Sequence, residues 1–244
     1  MNNYSKLDNQ TKTPKFASTN AAEAIMLATR FAHANRDISL IYGEAGLGKS
    51  FSLNHYANTH DKVIYVEARE CDRSTKGIAE RILKSMGKSK TGTDRVLIDT
   101  IIETLKGSEK LLIVDEAQHL GLRAIENMRA INDEAKIGIV LCGNPTVYDR
   151  MHGKGQAHFA QLFSRLGIKR RISEPTRKDI EKIFTKFNLD NSCIDFLHAM
   201  SLSWGGLRNS IKIFKMAYDL SSASSETLSL AHFETAYQFK NGEE

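Results

Sequence analysis

Residues 43–50 read "GEAGLGKS", between "ISLIY" (38–42) and "FSLNHYAN" (51–58). Gly43, Gly48, Lys49 and Ser50 stand at the spacing of a phosphate-binding loop. That reading requires a strand before the loop and a helix after it, because the backbone N–H groups that hold phosphate oxygens sit at a helix N-terminus. Both neighbours are in the pattern. A short apolar run precedes the loop, and a helix is expected over 49–60. The residues placed against a nucleotide are Gly43, Glu44, Ala45, Gly46, Leu47, Gly48, Lys49, Ser50 and Phe51. Lys49 is expected to reach the β- and γ-phosphates of ATP, and the Ser50 hydroxyl to bind Mg2+.

Working outward, short apolar runs alternate with helical patterns. The strand candidates are 38–42, "VIYVE" (63–67), "LLIV" (111–114), "IGIVLC" (137–142) and "IKRRIS" (168–173). The first four are almost wholly apolar, as expected for strands covered on both faces. Helices are expected over 20–36, with Asn20 as N-cap, and over 49–60, 74–86, 94–106, 119–133 and 158–166. This alternation predicts right-handed βαβ units and a parallel five-stranded sheet between helices, an α/β fold. After Pro175 no strand is expected. Helices over 176–188, 191–202, 206–220 and 229–240 predict a small C-terminal helical domain. "SSASSE" (221–226) reads as a Ser-rich loop. The expected organisation is a flexible segment at 1–19, a nucleotide-binding core at 20–175 and a helical lid at 176–244.

Two further strand ends carry chemistry. "LLIVDEAQHL" (111–120) ends an apolar run in two carboxylates. Asp115 is placed to hold Mg2+, directly or through water, and Glu116 to polarise an attacking water. Phosphoryl transfer needs both roles, since it leaves the protein mostly positioning and charge stabilisation to do. "LCGNP" (141–145) closes another strand, and Asn144 projects from the edge where open α/β sheets bind ligands. A neutral amide there can orient water against a γ-phosphate. A turn-forming Asn before Pro145 is the competing reading.

Composition narrows the class. The chain has 244 residues, 41% of them hydrophobic, enough for one sizeable core and a smaller unit. Lys and Arg number 34 against 29 Asp and Glu, a net charge of +5 that permits an anionic partner without requiring one. Cys71, Cys142 and Cys193 are far apart and form no CxxC, which disfavours a disulfide framework or a zinc site. His119 and His158 show no metal-ligand spacing. The polar start, "MNNYSKLDNQTKTPK", lacks a signal-peptide core, and no apolar run approaches a membrane span. A cytoplasmic location is expected.

The order phosphate loop, "VDEAQ", "GNP", "FSRL" and "GGLRN" resembles the P-loop AAA+ ATPases over roughly residues 20–220. Within them, "LCGNPTVYDRM" followed by "FAQLFSRLGIKRRI" is similar to the phage Mu B-type transposition ATPases. The resemblance implies an ATP-dependent protein that forms a homo-oligomer, ring or filament, on double-stranded DNA and selects target DNA for a transposase. It implies two further residues. Arg165 matches the arginine that enters the neighbouring subunit's site and stabilises transition-state charge, with Arg170 and Arg171 as nearby competitors. Arg208 matches the lid arginine that contacts nucleotide within the subunit. Trp204 beside it reads as lid core rather than a base-stacking platform.

The phage Mu B protein carries an N-terminal helix-turn-helix domain, whereas only segment 1–19 precedes the first core helix expected here. DNA contact is therefore expected from the core. "RILKSMGKSKTGTDR" (81–95) is the best candidate, with Arg81, Lys84, Lys88, Lys90 and Arg95 against one acid, Asp94. "IKRRI" is equally basic, but its closeness to Arg165 ties it to the subunit interface. The alternatives are a helicase loader or initiator, which share these motifs, and a secretion-type AAA+ ATPase that does not bind DNA.

Overall fold

The structure, a computed structural model, describes residues 13–152 and 165–242. Five strands form one sheet: β1 (Ile38–Tyr42), β2 (Val63–Glu67), β3 (Leu111–Asp115), β4 (Gly138–Gly143) and β5 (Leu166–Arg171), in the order β2-β3-β4-β1-β5. Every pairing is parallel. Helices α1 (Asn20–Asn35), α2 (Lys49–Thr59), α3 (Thr75–Ser85), α4 (Asp94–Leu105), α5 (Leu122–Ala135) and α6 (Pro145–His152) connect or precede the strands. The expected α/β fold is therefore observed.

β3 and β4 are buried at every position, the burial that their unbroken apolar sequences demand. Their Leu112, Val114, Ile139 and Leu141 pack in one core with Ile78 and Ile82 of α3, Ile101 of α4, and Ile125 and Met128 of α5. A second unit comprises the described part of Met1–Glu23, Ala45–Gly48 and Ser173–Glu244; the sheet unit comprises Ala24–Glu44 and Lys49–Ile172. The second unit carries α7 (Arg177–Phe184), α8 (Asn191–Leu202), α9 (Gly206–Ser224) and α10 (Leu230–Asn241) around its own core of Phe184, Leu197, Ile213, Phe214 and Phe233. Asp179 is buried at its first turn and accepts from Thr176 N at 2.9 Å and Asn20 N at 2.8 Å, so one carboxylate satisfies two helix starts.

Several boundaries differ from expectation. Thr19, not Asn20, caps α1: its Oγ1 accepts from Ala22 N at 3.1 Å. β5 begins at Leu166, whose burial anchors the strand, rather than at Ile168. The chain after β3 makes a 3-10 turn over Ala117–His119 before α5 starts at Leu122. Ser221–Ser224 extend α9 instead of forming a loop, their hydroxyls returning to carbonyls one turn back, as Ser222 does to Tyr218 O at 2.7 Å. α6 is an addition to the expected helices. Most of the helix expected over 158–166, with His158, and most of segment 1–19 lie outside the described residues; Arg165 is in a turn and Leu166 in β5.

Candidate nucleotide site

β1, β4 and β3 are neighbours, and their C-terminal ends lie side by side. Tyr42 is in register with Gly143, and Val114 with Leu141. Gly43 N donates to Gly143 O at 3.2 Å, which fastens the start of the loop to the end of β4. The loop then turns through Gly46 (φ 84) and Gly48 (φ 83), left-handed positions that a side chain would strain. A Cβ on Gly46 would stand 2.1 Å from the carbonyl oxygen of Gly205, so glycine is also required there for space. α2 starts at Lys49, and the N-terminus of a helix favours an anion. Lys49 Nζ donates to Gly43 O and Glu44 O at 2.7 Å each, which holds the ammonium over the loop. Ser50 follows in the first helical turn and Phe51 is exposed.

Asp115, 1% exposed, ends β3. Its Oδ2 accepts from the Tyr65 hydroxyl at 2.7 Å and its Oδ1 from Glu116 N at 2.9 Å. Burial, and then the Asp115 charge, push the Tyr65 phenol well above its ordinary range, so it remains a donor at every physiological pH. The buried Cys142 thiol is a further hydrogen-bond partner of this carboxylate. Among the described residues no group of three or more His, Cys, Asp or Glu could cage a metal. The donor set of Ser50 and Asp115 suits Mg2+, which takes one or two protein oxygens and completes its shell with phosphate and water.

Glu116 adopts a left-handed conformation (φ 54, ψ 37), uncommon for a residue with a side chain. Its carboxylate accepts from Gln118 Nε2. Cys142 is buried in β4, and its thiol is pushed far up by burial first and then by Asp115. Lys49 acts in the opposite sense on the same sulfur and Glu116 in the same sense as Asp115. All three charged groups therefore lie within electrostatic reach of the Cys142 sulfur.

Asn144 follows β4 and does two things. Its Oδ1 accepts from Thr146 N at 3.0 Å and Thr146 Oγ1 at 2.6 Å, capping α6, with Pro145 at the first helical position. Its Nδ2 can donate to a ligand at the edge, so the turn-forming and ligand-facing readings are compatible.

Arg165 lies in the same unit but at the other edge of the sheet. It precedes Leu166, which pairs with Ile38 at the start of β1. At roughly 3.3 Å per residue, β1 alone separates that edge from the phosphate loop by on the order of 15 Å. There Arg165 Nη1 contacts both oxygens of Asp133 at 3.3 Å in an exposed pair. Arg170 and Arg171 pair with Ile41 and Tyr42 and so lie at the C-terminal edge. Arg208 is exposed in the first turn of α9 in the helical unit. Trp204 is 100% exposed, which overturns the lid-core expectation; a turn through Gly205 (φ 98) and Gly206 (φ 59) holds it outside the unit.

In the basic segment, α3 ends at Ser85 and α4 begins at Asp94. Lys84, Lys88, Lys90 and Arg95 are exposed. Lys88 Nζ donates to Thr104 Oγ1 at 3.0 Å, and Arg95 meets Asp99 at 3.6 Å. Arg81 differs. Its Nε closes on the buried Asp72, whose Oδ2 also accepts from Arg69 N at 2.8 Å. That guanidinium holds a turn together. Tyr65, Gln118, Cys142 and Arg150 belong to the nucleotide edge although the sequence pattern does not single them out. Arg150 spans α6 to the 3-10 turn, donating to Gln118 O at 2.8 Å and Leu120 O at 2.9 Å.

An AAA domain model matches residues 32–151, and a model for the Mu B transposition protein C-terminal region matches residues 164–239. A Mu-like prophage DNA transposition protein B of Haemophilus influenzae is 31% identical over 202 residues, covering 81% of this chain and 70% of the relative. The chain belongs to the Mu B family. This family member is also 27% identical over 198 residues to the ATP-dependent target DNA activator B of Escherichia phage Mu, covering 80% of this chain and 64% of the phage protein. It thus spans just under two thirds of that relative's length. Among solved structures, Drosophila ORC bound to DNA superposes with a TM-score of 0.63 at 15% identity, over 92% of this chain and 61% of that one. Domain III of the Thermotoga maritima replication initiation protein DnaA superposes with 0.59 at 16%, over 91% and 92%. At those identities the likeness is one of fold.

Proposed function

We propose that this Mu B family chain is an ATPase that assembles on double-stranded DNA in its ATP-bound form and presents that DNA to a transposase. The observation that carries the reading is the convergence of Lys49, Asp115, Glu116 and Asn144 at the adjacent ends of β1, β3 and β4. Lys49 and the start of α2 hold the β- and γ-phosphates. Ser50 and Asp115 hold Mg2+, which neutralises phosphate charge when bound. Glu116 takes the proton of the attacking water, and Asn144 Nδ2 orients that water. Asn144 and Glu116 are held by different strands, so the water is fixed from two directions.

The position of Arg165 supports an assembly. An arginine at the far edge of the sheet from its own phosphate loop is suited to a neighbour's nucleotide. An exposed pair such as Arg165–Asp133 contributes about 0–1 kcal/mol, so the guanidinium leaves Asp133 for a phosphate at small cost. Arg208 is proposed to contact nucleotide within the subunit. Lys84, Lys88, Lys90 and Arg95 are proposed to contact DNA phosphates, while Arg81 supports the turn beneath them. Phosphate contacts carry no sequence information, so binding is sequence-independent. ATP hydrolysis dissolves the assembly.

The test is DNA retention on two duplexes of unrelated sequence with ATP, with ADP and without nucleotide. Retention is expected only with ATP and is equal on both duplexes. Retention that ignores ATP, or that prefers one duplex strongly, would overturn the reading.

A further inference from the structure

Gln118 makes more structural connections at the nucleotide edge than its place in "DEAQ" suggests. It lies in the 3-10 turn Ala117–His119 after β3. Its Nε2 donates to Glu116 Oε2. Its Oε1 accepts from the backbone N of Asn144 at 3.2 Å. Its own carbonyl accepts from Arg150 at 2.8 Å. The last residue of β4 is shaped to admit it: a Cβ on Gly143 would stand 2.5 Å from Gln118 Oε1 and 3.3 Å from Gln118 N. A single side-chain amide therefore joins the carboxylate after β3 to the backbone after β4. Glu116, in its left-handed conformation, has reason to need such a tie, because that backbone geometry is not one its own residue type prefers.

We propose that Gln118 is a positioning residue that fixes the Glu116 carboxylate relative to Asn144, so that base and water-orienting amide move as one piece. The inference rests on the reading of Glu116 as the base given above. The amide does not touch nucleotide and takes no proton. Its Nε2–H holds one carboxylate oxygen of Glu116 and leaves the other for water. Its Oε1 sets how far the end of β4 lies from that carboxylate. A shift of Asn144 on nucleotide binding would then be carried to Glu116 through one pair of hydrogen bonds.

Two substitutions in the full-length protein separate the two ends of the amide. Gln118→Met keeps the length and loses both hydrogen bonds. Gln118→Glu keeps an acceptor for Asn144 N but cannot donate to Glu116. Four quantities are read: turnover, ATP affinity by equilibrium titration, melting temperature, and amide hydrogen exchange at Asn144 without nucleotide. Both variants should lose about ten- to a hundredfold in kcat, the scale on which a misplaced catalytic group acts. ATP affinity should stay within about twofold, because Lys49 and the loop are untouched. Exchange at Asn144 should quicken in Gln118→Met and stay slow in Gln118→Glu. Placed in a Glu116→Gln background, Gln118→Met should cause no further loss, since it acts through a carboxylate already gone. Wild-type turnover in Gln118→Glu overturns the proposal, as does a full additive loss in the double variant or an unchanged Asn144 exchange rate in Gln118→Met. Failure of the underlying reading looks different: Glu116→Gln alone would then turn over like the wild type.

Discussion

The nucleotide edge and the basic segment both carry residues that stand out in the sequence, yet they are built in opposite ways. At the edge, four working side chains are each fixed by a second group. Lys49 is held by two loop carbonyls, Asp115 by Tyr65 and a backbone N–H, Glu116 by Gln118, and Asn144 by Thr146. In segment 84–95, Lys84 and Lys90 are exposed, Lys88 reaches a hydroxyl, and Arg95 meets one exposed acid. Fixed groups suit chemistry, where ångström placement sets the rate. Loose cations suit a polyanion whose charge repeats along its length, because many imperfect contacts add. Single substitutions should therefore be drastic at the edge, and only combined substitutions noticeable in the segment.

The largest effect should come from Lys49→Ala. Without the ammonium, ATP titration should reach no saturation at concentrations that fill the wild type, and ATP-dependent DNA retention should vanish with it. Undiminished ATP affinity would break the contrast at its strongest point. Arg165→Ala comes next. Nucleotide binding should persist, because the residue lies at the opposite edge of the sheet from its own loop. Turnover should fall by about 10³-fold, the scale of a supplied arginine finger. Mixing it with Glu116→Gln should restore part of the activity, since one interface in such mixtures pairs an intact Glu116 with an intact Arg165. No recovery in mixtures that demonstrably co-assemble, together with wild-type turnover for Arg165→Ala alone, would transfer the role to Arg170 or Arg171.

Glu116→Gln should reduce turnover by about 10²-fold or more, within the usual range for a general base. ATP should still bind, and DNA-bound assemblies should outlast those of the wild type when excess competitor DNA is added. Normal dissociation would mean that hydrolysis is not the release step. The smallest effect per residue belongs to Lys84, Lys88 and Lys90. Neutralising all three should weaken binding equally on every sequence and flatten the log–log salt dependence by about 0.9 for each DNA phosphate that no longer has a cation beside it. Basal turnover should be unchanged. An unaltered salt slope would place the DNA surface elsewhere and leave the comparison without its second half.

What is legible in the sequence is what local pattern determines. β1, β2 and α8 fall on their expected bounds, because short, mostly apolar runs or a clear cap mark their ends. The placement of Lys49 after the loop and of Asp115, Glu116 and Asn144 at strand ends is legible because local pattern marks those ends. Tyr65 is not: within "VIYVE" it reads as an ordinary strand residue, and only the β2–β3 pairing brings its hydroxyl to Asp115, fifty positions on. Gln118 has the same difficulty, since its importance lies in its bond to the backbone after β4. α6 escapes the pattern because Asn144-Pro145 reads as a turn, although Asn followed by Pro is equally a helix start. In the sequence Arg81 is one more cation, and the fold takes it to Asp72. Hydropathy alone puts Trp204 in a core, whereas the two-glycine turn beside it holds the indole in solvent.

The basic run in β5 also bears on solubility. β5 closes one side of the sheet and, among the described residues, pairs with β1 alone, so its outer backbone groups offer a template to any extended chain. Lys169, Arg170 and Arg171 stand exposed along it. A second strand docking there would have to bring its own backbone against a row of cations, and a second copy would bring the same cations. Like-charge repulsion therefore guards this border against runaway edge-to-edge pairing.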